Sequence, residues 1–197
     1  MKKKRVGVRL FKAFVLCILL LGIVGVAAGG VFVKHVIDNT PEVTAKDILP
    51  QGYTTSIVDQ NGTVLEQLKD SDSNRVYKKY DEISKYMGDA FVAIEDERFY
   101  KHNGIDLQGI IRAGVVGVTH GFHFTEGAST LTQQLIKNNV FPNFVNETNS
   151  ERFERKIQEQ YLALKIEKQM SKKEILEAYM NTINLGQGCL GVQTAAK

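Results

Sequence analysis

The sequence predicts a mainly α-helical domain that opens with a small β-hairpin and follows one apolar helix long enough to cross a bilayer. Three observations predict it: a charge-free run from Ala13 to Val33, two strand-forming runs around Asp59-Gln60-Asn61-Gly62, and helical apolar spacing behind repeated capping signals from Asp81 onward. With 197 residues, 43% of them hydrophobic and 24% charged, the chain holds one ordinary domain plus an accessory segment. Its composition is not that of a disordered protein.

The apolar run comes first. At ~1.5 Å per helical residue it spans about 30 Å, the thickness of a bilayer core. The net charge is only +3, and Lys2, Lys3, Lys4, Arg5, Arg9 and Lys12 all precede the run. Such a basic flank holds the N-terminus in the cytoplasm and puts everything after Lys34 outside. Ala27-Ala28-Gly29 imitates a cleavage site, so a removed signal peptide is the alternative to an anchor. The boundaries read as a cytoplasmic basic tail over 1–12, a membrane span over 13–33, a polar stalk over 34–52 containing Pro41 and Pro50, and a domain over 53–197.

Thr54–Val58 and Thr63–Leu68 read as the hairpin, with Asn61-Gly62 as its turn signal. Ile83, Met87, Phe91 and Ile94 then form one helical stripe. Asp106 stands where it can cap a helix from Leu107 to about Val118. Thr130 with Gln133, Thr148 with Glu151 and Ser171 with Glu174 have capping-box spacing. The long helix from Glu151 to about Lys168 is expected to pack through Phe153, Ile157, Tyr161 and Leu164, and the next runs to about Asn181.

Three segments carry residues suited to chemistry. Glu95 falls between Phe91 and Phe99 on a helical wheel, and a carboxylate desolvated between rings becomes a better proton acceptor. Three acidic residues in a row equally describe a solvated helix face. At Gly127-Ala128-Ser129-Thr130, a helix start offers free N–H groups and the positive end of its dipole, with Thr130, Gln134 and Lys137 on one face; phosphate oxygens suit such a face. An ordinary capped amphipathic helix has the same pattern. On the long helix, Arg152, Arg155, Lys156 and Glu159 share an arc bordered by Leu162 and Ile166, so this charged patch either lines a cleft or pairs with itself in solvent.

Other signals are set aside. Cys17 and Cys189 give neither a plausible disulfide nor metal-ligand spacing. Gly186-Gln187-Gly188-Cys189-Leu190-Gly191 follows a helix, without a βαβ unit, and reads as a loop. His120 and His123 lack further ligands nearby. The nearly neutral body calls for no nucleic-acid partner.

Taken in order, these segments resemble the glycosyltransferase family 51 domain of class A penicillin-binding proteins and monofunctional peptidoglycan transglycosylases. Glu95-Asp96-Glu97-Arg98-Phe99-Tyr100-Lys101-His102-Asn103-Gly104-Ile105-Asp106 is similar to the family's first motif, and Gly127 to Asn138 to its second. Arg155-Lys156-Ile157-Gln158-Glu159 resembles the third, and Ile175-Leu176-Glu177-Ala178-Tyr179-Met180-Asn181 the fourth. The resemblance covers roughly Thr54 to Lys197.

It implies a lysozyme-like, mainly α fold whose cleft opens toward the membrane. By resemblance, Glu95 takes the proton from the acceptor's 4-hydroxyl, and that hydroxyl displaces undecaprenyl pyrophosphate from the donor with inversion. Glu159 is then the second acidic residue, organising the donor site. Ser129, Thr130, Gln134, Lys137, Arg155 and Lys156 match positions that hold the donor's sugar and pyrophosphate. Asp96, Phe99, His102, Asn138 and Asn181 support the motifs. Lipid II, the growing lipid-linked glycan and membrane lipid are the implied partners, alongside other cell wall synthesis and division proteins. No cofactor is required, and no ligand set is fixed for a divalent Mg or Mn ion. The family pattern continues past Ala196, so the chain reads as a fragment at its C-terminal end. A glycan-cutting relative with a single catalytic Glu, or a scaffold without turnover, are the rival readings.

Overall fold

The computed structural model describes residues 2–68, 74–120, 127–141 and 144–196 and, within them, the side chains of all but 2–10 and 67. It divides into two compact units, Met1–Pro41 and Glu42–Lys197.

The first unit is helix α1 (Lys2–Asp38), of 37 residues. It runs past the charge-free stretch at both ends because nothing before Pro41 breaks it, and Lys and Arg are good helix formers. Asn39 Nδ2 donates to the His35 carbonyl at 2.8 Å and Thr40 Oγ1 to that of Val36 at 2.9 Å, satisfying carbonyls that have no partner inside the helix. The segment Phe11–Asp38 is long and apolar enough to cross a membrane.

The expected stalk is revised by this. Residues 34–38 continue α1, while Val43 and Ile48 are buried in the core of the second unit. Two apolar residues in a polar run of no clear period carried no signal of which core would take them.

In the second unit, β1 (Thr55–Val58) and β2 (Val64–Leu68) pair antiparallel in the register Thr55↔Leu68, with an irregularity between Ile57 and Val58. The turn is built by Asp59 as well as by glycine. Its Oδ1 accepts the N–H groups of Asn61 and Thr63, both at 2.8 Å, and Gly62 takes a φ of +82°.

The rest is helical: α2 (Lys85–Glu95), α3 (Leu107–Thr119), α4 (Leu131–Val140), α5 (Asn149–Ile166), α6 (Lys172–Thr182) and the short α7 (Val192–Ala195). The expected capping boxes close on α5 and α6, where Thr148 with Glu151 and Ser171 with Glu174 bond reciprocally. On α4 only half of one forms. Thr130 accepts the Gln133 N–H, but Gln133's own side chain turns away to the Gly104 carbonyl.

Helix α4 packs on α5 and α6. Leu131, Leu135, Ile136, Leu162, Ile166, Ile175, Leu176 and Tyr179 are all fully buried. Each such aliphatic side chain stabilises the fold by about 1.5–3 kcal/mol.

Two helices bury only part of the stripe that their apolar spacing predicts: Phe91 of α2 and Tyr161 of α5 pack against the core, but other stripe residues do not. On α5, Phe153 is 61% and Leu164 42% exposed, while Arg155, Glu159, Leu162, Ala163 and Ile166 are buried. The arc of charges is therefore the packed face, which is tolerable only because the charges pair with one another. On α2, Ile94 is 82% exposed and Gly88 and Val92 face the core. The glycine loop 186–191 is a loop as read, with φ of +89°, +71° and +78° at Gly186, Gly188 and Gly191.

Candidate active site

The first motif folds into a brace and a free end. Helix α2 stops at Glu95. The next carboxylate, Asp96, is 6% exposed and accepts the backbone N–H of Leu131 at 3.0 Å, holding the N-terminus of α4. His102 Nε2 lies 2.9 Å from Asp96 Oδ1, and His102 Nδ1 takes the Gly104 N–H at 3.2 Å. The ring thus donates from Nε2 and accepts at Nδ1. The Gly104 carbonyl then receives the Thr130 hydroxyl at 2.8 Å and Gln133 Nε2 at 3.2 Å.

Glycine is required there. Its φ is +94°, and a Cβ would stand 2.7 Å from the Ala163 carbonyl oxygen on α5. Phe99 is fully buried beside this knot. Asp106 stands at the N-cap position of α3 as read, and it also takes the Arg98 guanidinium, with Nη2 at 2.6 Å; that partner holds its carboxyl below the usual carboxylate range.

Glu95 lies outside the brace. It is exposed rather than sandwiched, because Phe99 falls in a separate 3₁₀ turn and not on the helical wheel of α2. Its Oε2 accepts Gln134 Nε2 at 2.8 Å. A pocket of about 180 Å³ is lined by Glu95, Arg98, Arg112, Gly127, Ser129 and Thr130 among others.

Behind Ser129 stand the cations. Lys156 Nζ reaches Ser129 Oγ at 3.1 Å and Glu159 Oε2 at 2.7 Å. Glu159 is fully buried and also pairs with Arg155, whose Nε bonds Glu147 at 2.7 Å. The Phe144 ring lies under two cations, 4.8 Å from Lys137 Nζ and 5.7 Å from Arg155 Cζ. Lys137 has that ring and no ion-pair partner among the described residues. Burial and the nearby Lys156 and Arg155 charges push its ammonium below the ordinary lysine value, against the pull of Glu159 and Glu95.

The residues read from the sequence therefore divide. Glu95 and Ser129 gather at one pocket, with Gln134 joined to it through Glu95 and Lys156 through Ser129. Arg155 opens onto a neighbouring hollow of about 500 Å³ with Phe144 and Glu147. Thr130, expected to meet the donor, is 1% exposed, and its hydroxyl is committed to the brace. Gln134 binds Glu95, and Glu159 binds the two cations. Asn181 is fully buried and pins the segment before α2 by exchanging two hydrogen bonds of 2.8 Å with the Lys78 backbone, while its amide also donates to the Glu177 carbonyl at 2.8 Å. Asn138 is half-buried without a hydrogen-bond partner among the described residues. His120 is exposed, and His123 lies outside the described residues.

Sequence reasoning missed Phe144 and Glu147, which belong to no motif, and the pairing of Arg98 with Asp106, which are eight residues apart. Tyr179 was quoted within the fourth motif without a role, yet its hydroxyl donates to Gln134 Oε1 at 3.1 Å.

The exposed Glu95 carboxylate near a helix start, with Lys156 and Arg155 behind Ser129, is an arrangement suited to proton transfer beside an anionic group. The family model described as Transglycosylase matches residues 61–197, and the chain belongs to that family, the glycosyltransferase family 51 domain of class A penicillin-binding proteins. It is 41% identical over 192 residues to Penicillin-binding protein 1A of Clostridium perfringens (strain 13 / Type A), covering 96% of this chain and 27% of that protein. It is 42% identical over 164 residues to Penicillin-binding protein 1A of Clostridium novyi (strain NT), covering 82% and 19%. Against Penicillin-binding protein 1A/1B of Bacillus subtilis (strain 168) the identity is 35% over 195 residues, covering 99% and 20%. The chain thus spans about a fifth to a quarter of the length of these relatives.

Proposed function

We propose that this chain polymerises lipid II into glycan strands for the bacterial cell wall, from the outer face of the membrane that α1 crosses. The observation that carries the reading is one pocket lined by the exposed Glu95 and by Ser129, with Lys156 bonded to that serine and Lys137, which has no ion-pair partner among the described residues, close to Lys156. Glu95 removes the proton from the acceptor's 4-hydroxyl as that oxygen attacks the donor's anomeric carbon. The carbon–oxygen bond to undecaprenyl pyrophosphate breaks on the opposite side, with inversion.

The diphosphate leaves with growing negative charge. Fixed cations in a partly dry site stabilise that charge more in the transition state than in the bound donor. Lys137 offers a whole charge. Arg155 and Lys156 are already paired with Glu159, which holds them in place. Glu159 thus acts as a positioning residue for the donor site.

Growing glycan and membrane lipid are the further partners of this reading, with other wall-synthesis and division proteins. A divalent Mg or Mn ion is compatible with this reading, and no step is routed through one.

Incubation with lipid II and, separately, with finished glycan tests the reaction. Growth of chains from lipid II is expected; shortening of finished glycan would replace the reading by a glycan-cutting one. Labelling of a Lys46→Cys variant in intact cells tests the topology. Reaction with an impermeant reagent is expected, and protection that permeabilisation relieves would reverse it.

A further inference from the structure

Tyr179 does not reach the face that would meet substrate. It is fully buried on α6, with its ring edge-on to Phe91 at a centroid distance of 5.5 Å. Its hydroxyl nevertheless ends 3.1 Å from Gln134 Oε1, and Nε2 of the same amide lies 2.8 Å from Glu95 Oε2. The three side chains form a line from the core to the exposed carboxylate.

A glutamine amide is nearly symmetric in shape and opposite in chemistry at its two ends, so its orientation must be chosen by its neighbours. Burial, with the charge of Glu95 added, raises the Tyr179 phenol above its ordinary value, so the hydroxyl stays protonated and donates. A donor on the core side selects the amide oxygen there and turns the NH₂ outward. Glu95 Oε2 is then held, while Oε1 has no hydrogen-bond partner among the described residues.

We propose that Tyr179 is a positioning residue for the base: acting through Gln134, it locks the Glu95 carboxylate so that its free oxygen faces the acceptor hydroxyl. This rests on the assignment of Glu95 as the base. Without the hydroxyl, the amide can flip and set its oxygen against the carboxylate, which swings out of line. General-base transfer needs the oxygen within hydrogen-bond reach of the proton, so the loss appears in kcat.

The test is a double-mutant cycle on lipid II polymerisation by the full chain, using Tyr179→Phe, Gln134→Leu and both together, with kcat, KM and the thermal midpoint measured for each. Tyr179→Phe keeps the ring against Phe91 and removes one oxygen. It should lower kcat up to about tenfold, the rate equivalent of one ordinary hydrogen bond, with KM held within about twofold. Once Gln134 is leucine, Tyr179→Phe should change nothing further.

A wild-type kcat for Tyr179→Phe overturns the proposal. So do effects of the two substitutions that simply multiply, or a midpoint that collapses in Tyr179→Phe, since each means the hydroxyl serves the core and not the amide. If Glu95→Gln polymerises normally, the base assignment fails and takes this inference with it. An inactive Glu95→Gln beside a fully active Tyr179→Phe defeats the inference alone.

Discussion

Glu95 and Asp96 are consecutive carboxylates with opposite environments. Asp96 is 6% exposed and receives the Leu131 N–H and the His102 ring, so its charge is spent on fixing α4 against the first motif. Glu95 is exposed and receives one side-chain hydrogen bond, leaving one oxygen open. The same division runs through the whole site. Thr130, His102, Gly104, Asn181 and Glu159 are bonded to the protein on every side, whereas Glu95 and Lys137 have unused capacity. Motif residues of one family thus serve two ends, and the hydrogen-bond accounting separates them where motif matching does not.

The sharpest way to break the comparison is to exchange the predicted losses. Glu95→Gln keeps size and most hydrogen bonding but removes the base, so lipid II turnover should fall by at least the ~10²-fold typical of general-base catalysis, at an unchanged thermal midpoint. Asp96→Ala should do the reverse in kind. It leaves the Leu131 N–H and the His102 ring unsatisfied in a buried place and should cost about 3 kcal/mol of stability, read from denaturant unfolding. A stable Asp96→Ala protein, or an unstable Glu95→Gln protein, would erase the distinction.

Next in size come the cations. Lys137→Ala removes the charge that has no ion-pair partner among the described residues and should cut turnover and the affinity for a diphosphate mimic by roughly tenfold or more, as expected for a lost hydrogen bond to a charged group. Arg155→Lys should also be impaired, because one ammonium cannot hold both Glu147 and Glu159 as the guanidinium fork does. Wild-type turnover and mimic affinity in both variants would reduce the cluster to a structural ion-pair network.

The hairpin, the helix starts at Thr148 and Ser171, and the apolar run of α1 were legible in the sequence because each depends on residues close together in the chain. The inward faces of α2 and α5 were legible only in part, through Phe91 and Tyr161. Periodicity counts apolar residues, and it could not register that Arg155 and Glu159 become buriable once paired. The site was legible to the extent that motif spacing places Glu95, Ser129, Gln134, Lys137, Arg155 and Lys156. What each residue bonds was not: Thr130 reaches back 26 residues to Gly104, Gln134 reaches 39 to Glu95, and Tyr179 lies 45 from Gln134. Such pairings are fixed by packing between helices and leave no local trace.

The smallest expected effect sharpens the comparison further, because it reads the unused charge of Lys137 directly. Its ammonium is held below the ordinary lysine value, chiefly by burial and then by Lys156. A lowered value means that the empty site sheds this proton more easily than an exposed lysine would. A diphosphate placed against the ammonium favours the charged form, so binding above that value takes up a proton and affinity must fall as pH rises. The fall should begin below the ordinary lysine value of 10.5 and amount to several-fold across the accessible alkaline range. Lys137→Arg supplies a group that stays charged throughout, so its binding curve should be flatter over the same range even if its affinity at neutral pH is lower. Titration of a diphosphate mimic against both proteins at several pH values measures this. Parallel curves for the two would mean that some other group governs the pH dependence, and that Lys137 faces away from the diphosphate.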